Sequence, residues 1–111
     1  MLEQRIRAHL CEIAGHAVPV TYIALAKALD LGPPNIIRQL TAALEILIEE
    51  DAAAGRPLIA ALVISKGRGG LPAPGFFECA QRAGRFHAEL SGPEEASFYT
   101  TEFESAVAYW R

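Results

Sequence analysis

Pro33-Pro-Asn-Ile-Ile-Arg-Gln-Leu-Thr-Ala-Ala-Leu-Glu-Ile-Leu-Ile-Glu-Glu-Asp-Ala-Ala-Ala54, followed by Gly55, is the longest periodic stretch of the chain. Ile36, Ile37, Leu40, Ala43, Leu44, Leu47 and Ile48 recur at three- and four-residue spacings, the repeat that aligns side chains on one face of a helix. That face is expected to be buried. Proline fits a first helical turn, where the amide hydrogen it lacks would have no partner, and Gly55 supplies a left-handed residue for the end. The spacing therefore predicts one helix over residues 33–54. Its outer face starts with Asn35, Arg38, Gln39 and Thr41 and finishes with Glu45, Glu49, Glu50 and Asp51. Any nucleic-acid contact would fall to the start, because the acidic end repels phosphate.

Outward from this helix, 111 residues with 51% apolar side chains suffice for a modest core without disulfides or metal. The net charge of −3 argues against binding nucleic acid through general positive charge. Charge is uneven, however: residues 1–55 carry 4 basic and 7 acidic side chains, residues 56–90 carry 5 and 2, and residues 91–111 carry 1 and 4. Only the middle third is basic. Cys11 and Cys79 have no cysteine or histidine at metal-ligand spacing and are expected to be small buried apolar residues, with a redox or nucleophilic role for Cys79 as the alternative. No metal or other cofactor is expected. No apolar run reaches the roughly 18 residues of a membrane helix, and no signal-peptide order opens the chain, so a cytoplasmic location is the default expectation.

Before the long helix, Leu2, Ile6, Leu10 and Ile13 predict an amphipathic helix over residues 2–14, stopped by Gly15. His9 falls at the edge of its apolar stripe, a usual place for a boundary histidine. His16 to Val20 suits a brief edge strand. Thr21 is a good N-cap for a helix over residues 22–29, because its hydroxyl accepts a bond from an otherwise unpaired amide. Leu31-Gly32-Pro33-Pro34 then forces a turn. A short and a long helix across a tight turn, with another helix before them, match a helix-turn-helix arrangement.

After Gly55 the pattern becomes extended. The apolar run Leu58 to Ile64 is predicted as a strand buried on both faces. Lys66 to Gly75 follows as a glycine- and proline-rich loop. It reads either as a wing whose Lys66 and Arg68 neutralise phosphate or as a solvated hairpin tip. Its glycines fit neither a dinucleotide fingerprint nor a phosphate-binding loop. A short helix over residues 76–83, ended by Gly84, leaves Arg82 outside. Ser91-Gly92-Pro93-Glu94-Glu95 starts a last helix running to the terminus. Its aromatic stripe of Phe98, Tyr99, Phe103 and Trp110 either packs on the first helix or forms a homodimer interface.

Between Pro19 and Gly84 the sequence resembles the winged-helix domain of the DNA alkylguanine alkyltransferases and alkyltransferase-like proteins. The resemblance rests on Val20-Thr-Tyr22 with Leu25-Ala26, on Leu31-Gly-Pro-Pro34, and on Arg38 followed by Leu40 and Ala43-Leu44. Pro57, Val63-Ile64, Gly70-Leu71 and Gly75-Phe76 extend it. It implies that the long helix enters the minor groove and that Arg38 takes the place of a flipped base. The family's Pro-Cys-His-Arg active site falls at Pro57-Leu58-Ile59-Ala60, where no thiolate and no activating base remain for covalent catalysis. The stretch from Glu45 to Arg56 also makes this helix longer and more acidic than a groove-inserting helix prefers.

The expected fold is thus mainly α with a small β wing: a winged helix-turn-helix over residues 1–90 and a C-terminal helix over residues 91–111. The first functional reading is a non-catalytic module binding double-stranded DNA through Asn35, Arg38, Gln39, Lys66 and Arg68. The second is a protein-interaction or dimerisation domain on the same scaffold. An enzyme is the least favoured reading, since His9, His16 and His87 have no catalytic companions in the sequence.

Overall fold

The computed structural model describes residues 2–86 and 92–111. Among these residues five α-helices, one 3-10 helix and a two-stranded sheet follow in the order α1 (Leu2–His16), β1 (Val20–Thr21), α2 (Tyr22–Ala28), α3 (Ile36–Ala53), a 3-10 helix (Ile59–Leu62), β2 (Val63–Ile64), α4 (Pro74–Arg82) and α5 (Gly92–Trp110). The expected boundary at residues 90 and 91, the helix-start residue Ser91 and His87 lie outside the described residues. Among the described residues no helix is long and apolar enough to cross a membrane.

The long helix is the spine, and Leu40, Ala43, Leu44, Leu47 and Ile48 of α3 are buried as their spacing predicts. Three details differ. Pro33 and Pro34 lie in the preceding turn, joined by a cis peptide, and helical backbone begins only after Asn35, whose φ is 58°. Gln39 fastens this turn by donating from Nε2 to the carbonyls of Gly32 at 3.1 Å and Pro34 at 2.7 Å. Ile37, counted above with the buried face, is 46% exposed. Asp51, counted with the outer face, is fully buried.

α1 passes through Gly15, which is exposed, and ends at His16. The left-handed residue that stops it is Ala17, with φ 56° and its amide bonded to the Ala14 carbonyl at 3.1 Å. Thr21 caps α2 as expected, its Oγ1 accepting the Ala24 amide at 3.1 Å. Gly55 follows α3 with φ 70°, the left-handed conformation glycine adopts without steric cost.

The expected strand from Leu58 to Ile64 is replaced over most of its length by the 3-10 helix, leaving Val63–Ile64 as strand. The run is nevertheless interior, with Leu58 through Val63 all buried. Two carboxylates explain the backbone. Glu102 Oε2 accepts the Leu58 amide at 3.0 Å and Asp51 Oδ2 accepts the Ile59 amide at 3.1 Å, so neither donor is available to a sheet neighbour. β2 pairs with β1 in parallel, Val20 opposite Val63 and Thr21 opposite Ile64. The expected β wing is accordingly not an antiparallel hairpin here. Residues 65–73 form a loop of successive turns, closed by the Ser65 amide on the Leu71 carbonyl at 2.9 Å.

α5 lies against the rest of the chain. Phe98, Tyr99, Phe103 and Trp110 are half-buried and pack on the core. Phe98 joins Phe76, Phe77 and Phe86 in one aromatic cluster, with its ring centroid 4.8 Å from that of Phe86.

Candidate functional site

The start of α3 is built by its neighbours on both sides. α2, capped by Thr21, leads through Leu29 to Asn35 into α3, and the two bonds of Gln39 fix the angle at which the second helix begins. Asn35 makes no side-chain cap, so the first-turn amides of α3 have no side-chain acceptor. Such amides, at the positive end of the helix dipole, favour an anion. Arg38 lies one turn further along, exposed, and its guanidinium forms no hydrogen bond or ion pair among the described residues. Gln39 is on the same turn, but its Nε2 already donates to two carbonyls of the preceding turn.

The loop presents Lys66 exposed. Arg68 differs: its Nη2 lies 3.1 Å from Glu95 Oε1 in the first turn of α5, a contact that spacing in the sequence does not disclose. Tyr22 joins the loop to α2 by accepting the Ala73 amide at 3.0 Å on its hydroxyl. Burial, ahead of any charge effect, raises the Tyr22 hydroxyl above its ordinary pKa. Between Tyr22, the middle of α3 and Phe76 is a cavity of about 30 Å³, lined also by Ala60 and Ala73. That is room for about one water, not for a base.

On the other side of the turn, a groove of about 420 Å³ separates α2 from α3. Ile23, 55% exposed, and Ile37 line it together with Leu31 and Ile36, and Lys27 and Asp30 give it charged groups. Sequence spacing did not mark this groove, because Ile37 falls within the apolar repeat of α3 and Ile23 within a short helix with no clear period.

The acidic end of α3 is partly paired with arginines. Asp51 Oδ1 lies 2.9 Å from Arg7 Nη1 and 3.0 Å from Arg56 Nη2. These are charge contacts without hydrogen-bond alignment, since Oδ1 and Arg7 Nη1 have no bonded partner. Arg7 also reaches Glu50 at 3.1 Å, and Arg82 reaches Glu45 at 3.7 Å. Both Arg7 and Arg56 lie over the Trp110 ring, at 4.9 and 5.5 Å from its centroid.

Pro57-Leu58-Ile59-Ala60, where the resemblance would seat a nucleophile, is buried from Leu58 on and held through its backbone. Trp110 donates to the Pro57 carbonyl at 3.0 Å, and Arg85 bridges the Arg56 carbonyl and Glu102 Oε1, both at 2.7 Å. The thiols lie elsewhere. Cys79 is buried with its Sγ 3.8 Å from the Glu45 carbonyl, and burial, then the Glu45 charge, pushes its pKa up. Cys11 is half-buried, and burial raises it too. Both shifts favour the thiol over the reactive thiolate. Among the described residues no three His, Cys, Asp or Glu side chains cluster as metal ligands.

Comparison with family models, with curated proteins and with solved structures finds no match to this chain.

Proposed function

We propose that the chain is a non-catalytic DNA-binding module related to the winged helix-turn-helix kind, with the loop of residues 65–73 in the place of a hairpin wing, acting in the cytoplasm on double-stranded DNA, in keeping with its resemblance to the alkyltransferase-like domains. The observation that carries this reading is the start of α3: Arg38 is exposed and without a partner, one turn beyond first-turn amides that have no side-chain cap. Asn35 and Lys66 are exposed beside the turn and in the loop. The pairing of Glu45, Glu50 and Asp51 with arginines lowers the charge penalty that the bare sequence suggested. Gln39 contributes by holding the turn, and Arg68 only when it leaves Glu95.

Duplex binding measured against salt tests it. Each phosphate neutralised contributes a log–log slope of about −0.9. Arg38→Ala is expected to cost about 1–3 kcal/mol if the guanidinium reaches a base edge. No binding at low salt, or binding indifferent to Arg38→Ala, would overturn the proposal.

A second reading, a protein-interaction domain, is favoured by the groove flanked by Ile23 and Ile37. A homodimer through Phe98, Tyr99, Phe103 and Trp110 would have to use what those half-buried side chains leave exposed, whereas Ile23 and Ile37 are already open. Sedimentation of an Ile23→Ser, Ile37→Ser double variant separates the cases. Self-association lost in the variant supports the interaction domain, and a monomer with unchanged DNA affinity rejects it.

A further inference from the structure

We propose that Glu95 competes with DNA phosphate for Arg68, so that the first turn of α5 sets how many cations of the loop are free for phosphate; this rests on the DNA-binding reading above. Arg68 is the loop cation placed to choose between two acceptors. Its backbone is fixed from both sides, its amide donating to the Ser65 carbonyl at 3.2 Å and its carbonyl accepting the Leu71 amide at 3.2 Å. Its side chain is 26% exposed and spans to Glu95, whose side chain is only 10% exposed.

A guanidinium binds a carboxylate and a phosphate through the same charge-assisted N–H bonds, so one replaces the other directly. The exchange is not free. Glu95 is nearly removed from water, and losing Arg68 would leave its charge poorly solvated. Lys66, exposed two residues earlier, faces no such competition among the described residues. With Glu95 engaged, the loop therefore presents one free cation, and with Glu95 neutralised it presents two. α5 is thus coupled to the loop by charge, and anything that draws Glu95 away adds a phosphate contact.

The test is duplex binding by the full chain as a function of salt, with folding of each variant checked by circular dichroism. Glu95→Gln is expected to raise affinity three- to tenfold at low salt and to steepen the slope by about 0.9, one further phosphate contact. Arg68→Ala added to Glu95→Gln should remove the gain. Arg68→Ala alone should change affinity less than twofold, because Arg68 is held by Glu95; this arm stands even if Glu95→Gln folds poorly. A large loss in Arg68→Ala alone, or no gain in folded Glu95→Gln while the wild type binds in an Arg38-dependent way, overturns the competition and leaves the DNA reading intact. Absence of binding by both the wild type and folded Glu95→Gln overturns both.

Discussion

Replacing Asp51 by alanine is expected to destabilise the protein by about 3 kcal/mol, and the structure indicates where that figure comes from. The carboxylate is fully buried and does two jobs. Oδ2 accepts the Ile59 amide, a hydrogen bond to a charged acceptor that contributes about 1.5–3 kcal/mol. Oδ1 balances Arg7 and Arg56, and breaking a fully buried pair would cost about 3–5 kcal/mol. Two facts keep the total in the lower part of that range. The arginine side chains are 21% and 34% exposed, so water takes over part of their solvation, and the contacts to Oδ1 lack hydrogen-bond alignment. For a domain of this length 1 kcal/mol is about 4 °C in Tm, so the midpoint should fall by about 12 °C. Urea unfolding of the wild type, Asp51→Ala, Arg7→Met and the double variant closes a thermodynamic cycle. A loss below about 1 kcal/mol for Asp51→Ala, or additivity of the two single changes within about 0.5 kcal/mol, would refute the reasoning.

Two further outcomes follow from the same geometry. Ala17→Gly should raise stability by about 0.5–1 kcal/mol in urea unfolding, because Ala17 carries a left-handed φ of 56° that glycine adopts without the Cβ penalty, and its side chain is exposed. Burial pushes the Tyr99 hydroxyl up from 10.0 to about 12, so between those values the unfolded chain releases a proton that the folded chain keeps. The stability contributed by the neutral hydroxyl is full below pH 10 and declines as pH rises towards about 12. Tyr99→Phe should flatten that part of a Tm-against-pH curve, and an unchanged alkaline decline would count against it.

What was legible in the sequence is what depends on near neighbours. The buried side of α3 from Leu40 to Ile48, the Thr21 cap and the Gly55 stop each follow from spacings within one or two turns. The run from Leu58 to Ile64 was misleading because a segment buried on every side has no alternation, and a 3-10 turn and a strand then look alike. Its conformation depends on Glu102, supplied from 44 positions away, and on Asp51. Arg68 presents the same difficulty at the candidate site. Its availability depends on Glu95, 27 positions on in another helix, and composition could record only that the loop is basic. Ile37 sits at the margin of an apolar repeat, where period alone does not tell an exposed side chain from a buried one.

Distance and pairing together determine whether the acids of α3 oppose a phosphate at its start. Rising about 1.5 Å per residue, the helix carries Glu45 about 10 Å and Asp51 about 20 Å beyond Arg38 along the axis. Screening at physiological ionic strength has a length of about 8 Å, so Asp51 lies more than two such lengths away even before its arginine partners are counted. Glu45 is the nearer acid, and it faces Arg82 at 3.7 Å across an exposed contact that offsets its charge only in part. Glu49 has no ion-pair partner among the described residues, but it too lies beyond one screening length. The field at Arg38 is therefore governed by what is local to the first turns: its own charge, the uncapped amides of α3 and, across the turn, Lys27 and Asp30, which oppose each other in sign. The acidic half belongs to a different part of the molecule. There Asp51 spends its charge on the backbone of the 3-10 helix and on the arginines stacked over Trp110, and the length that made α3 look ill-suited to a groove is the length needed to reach them.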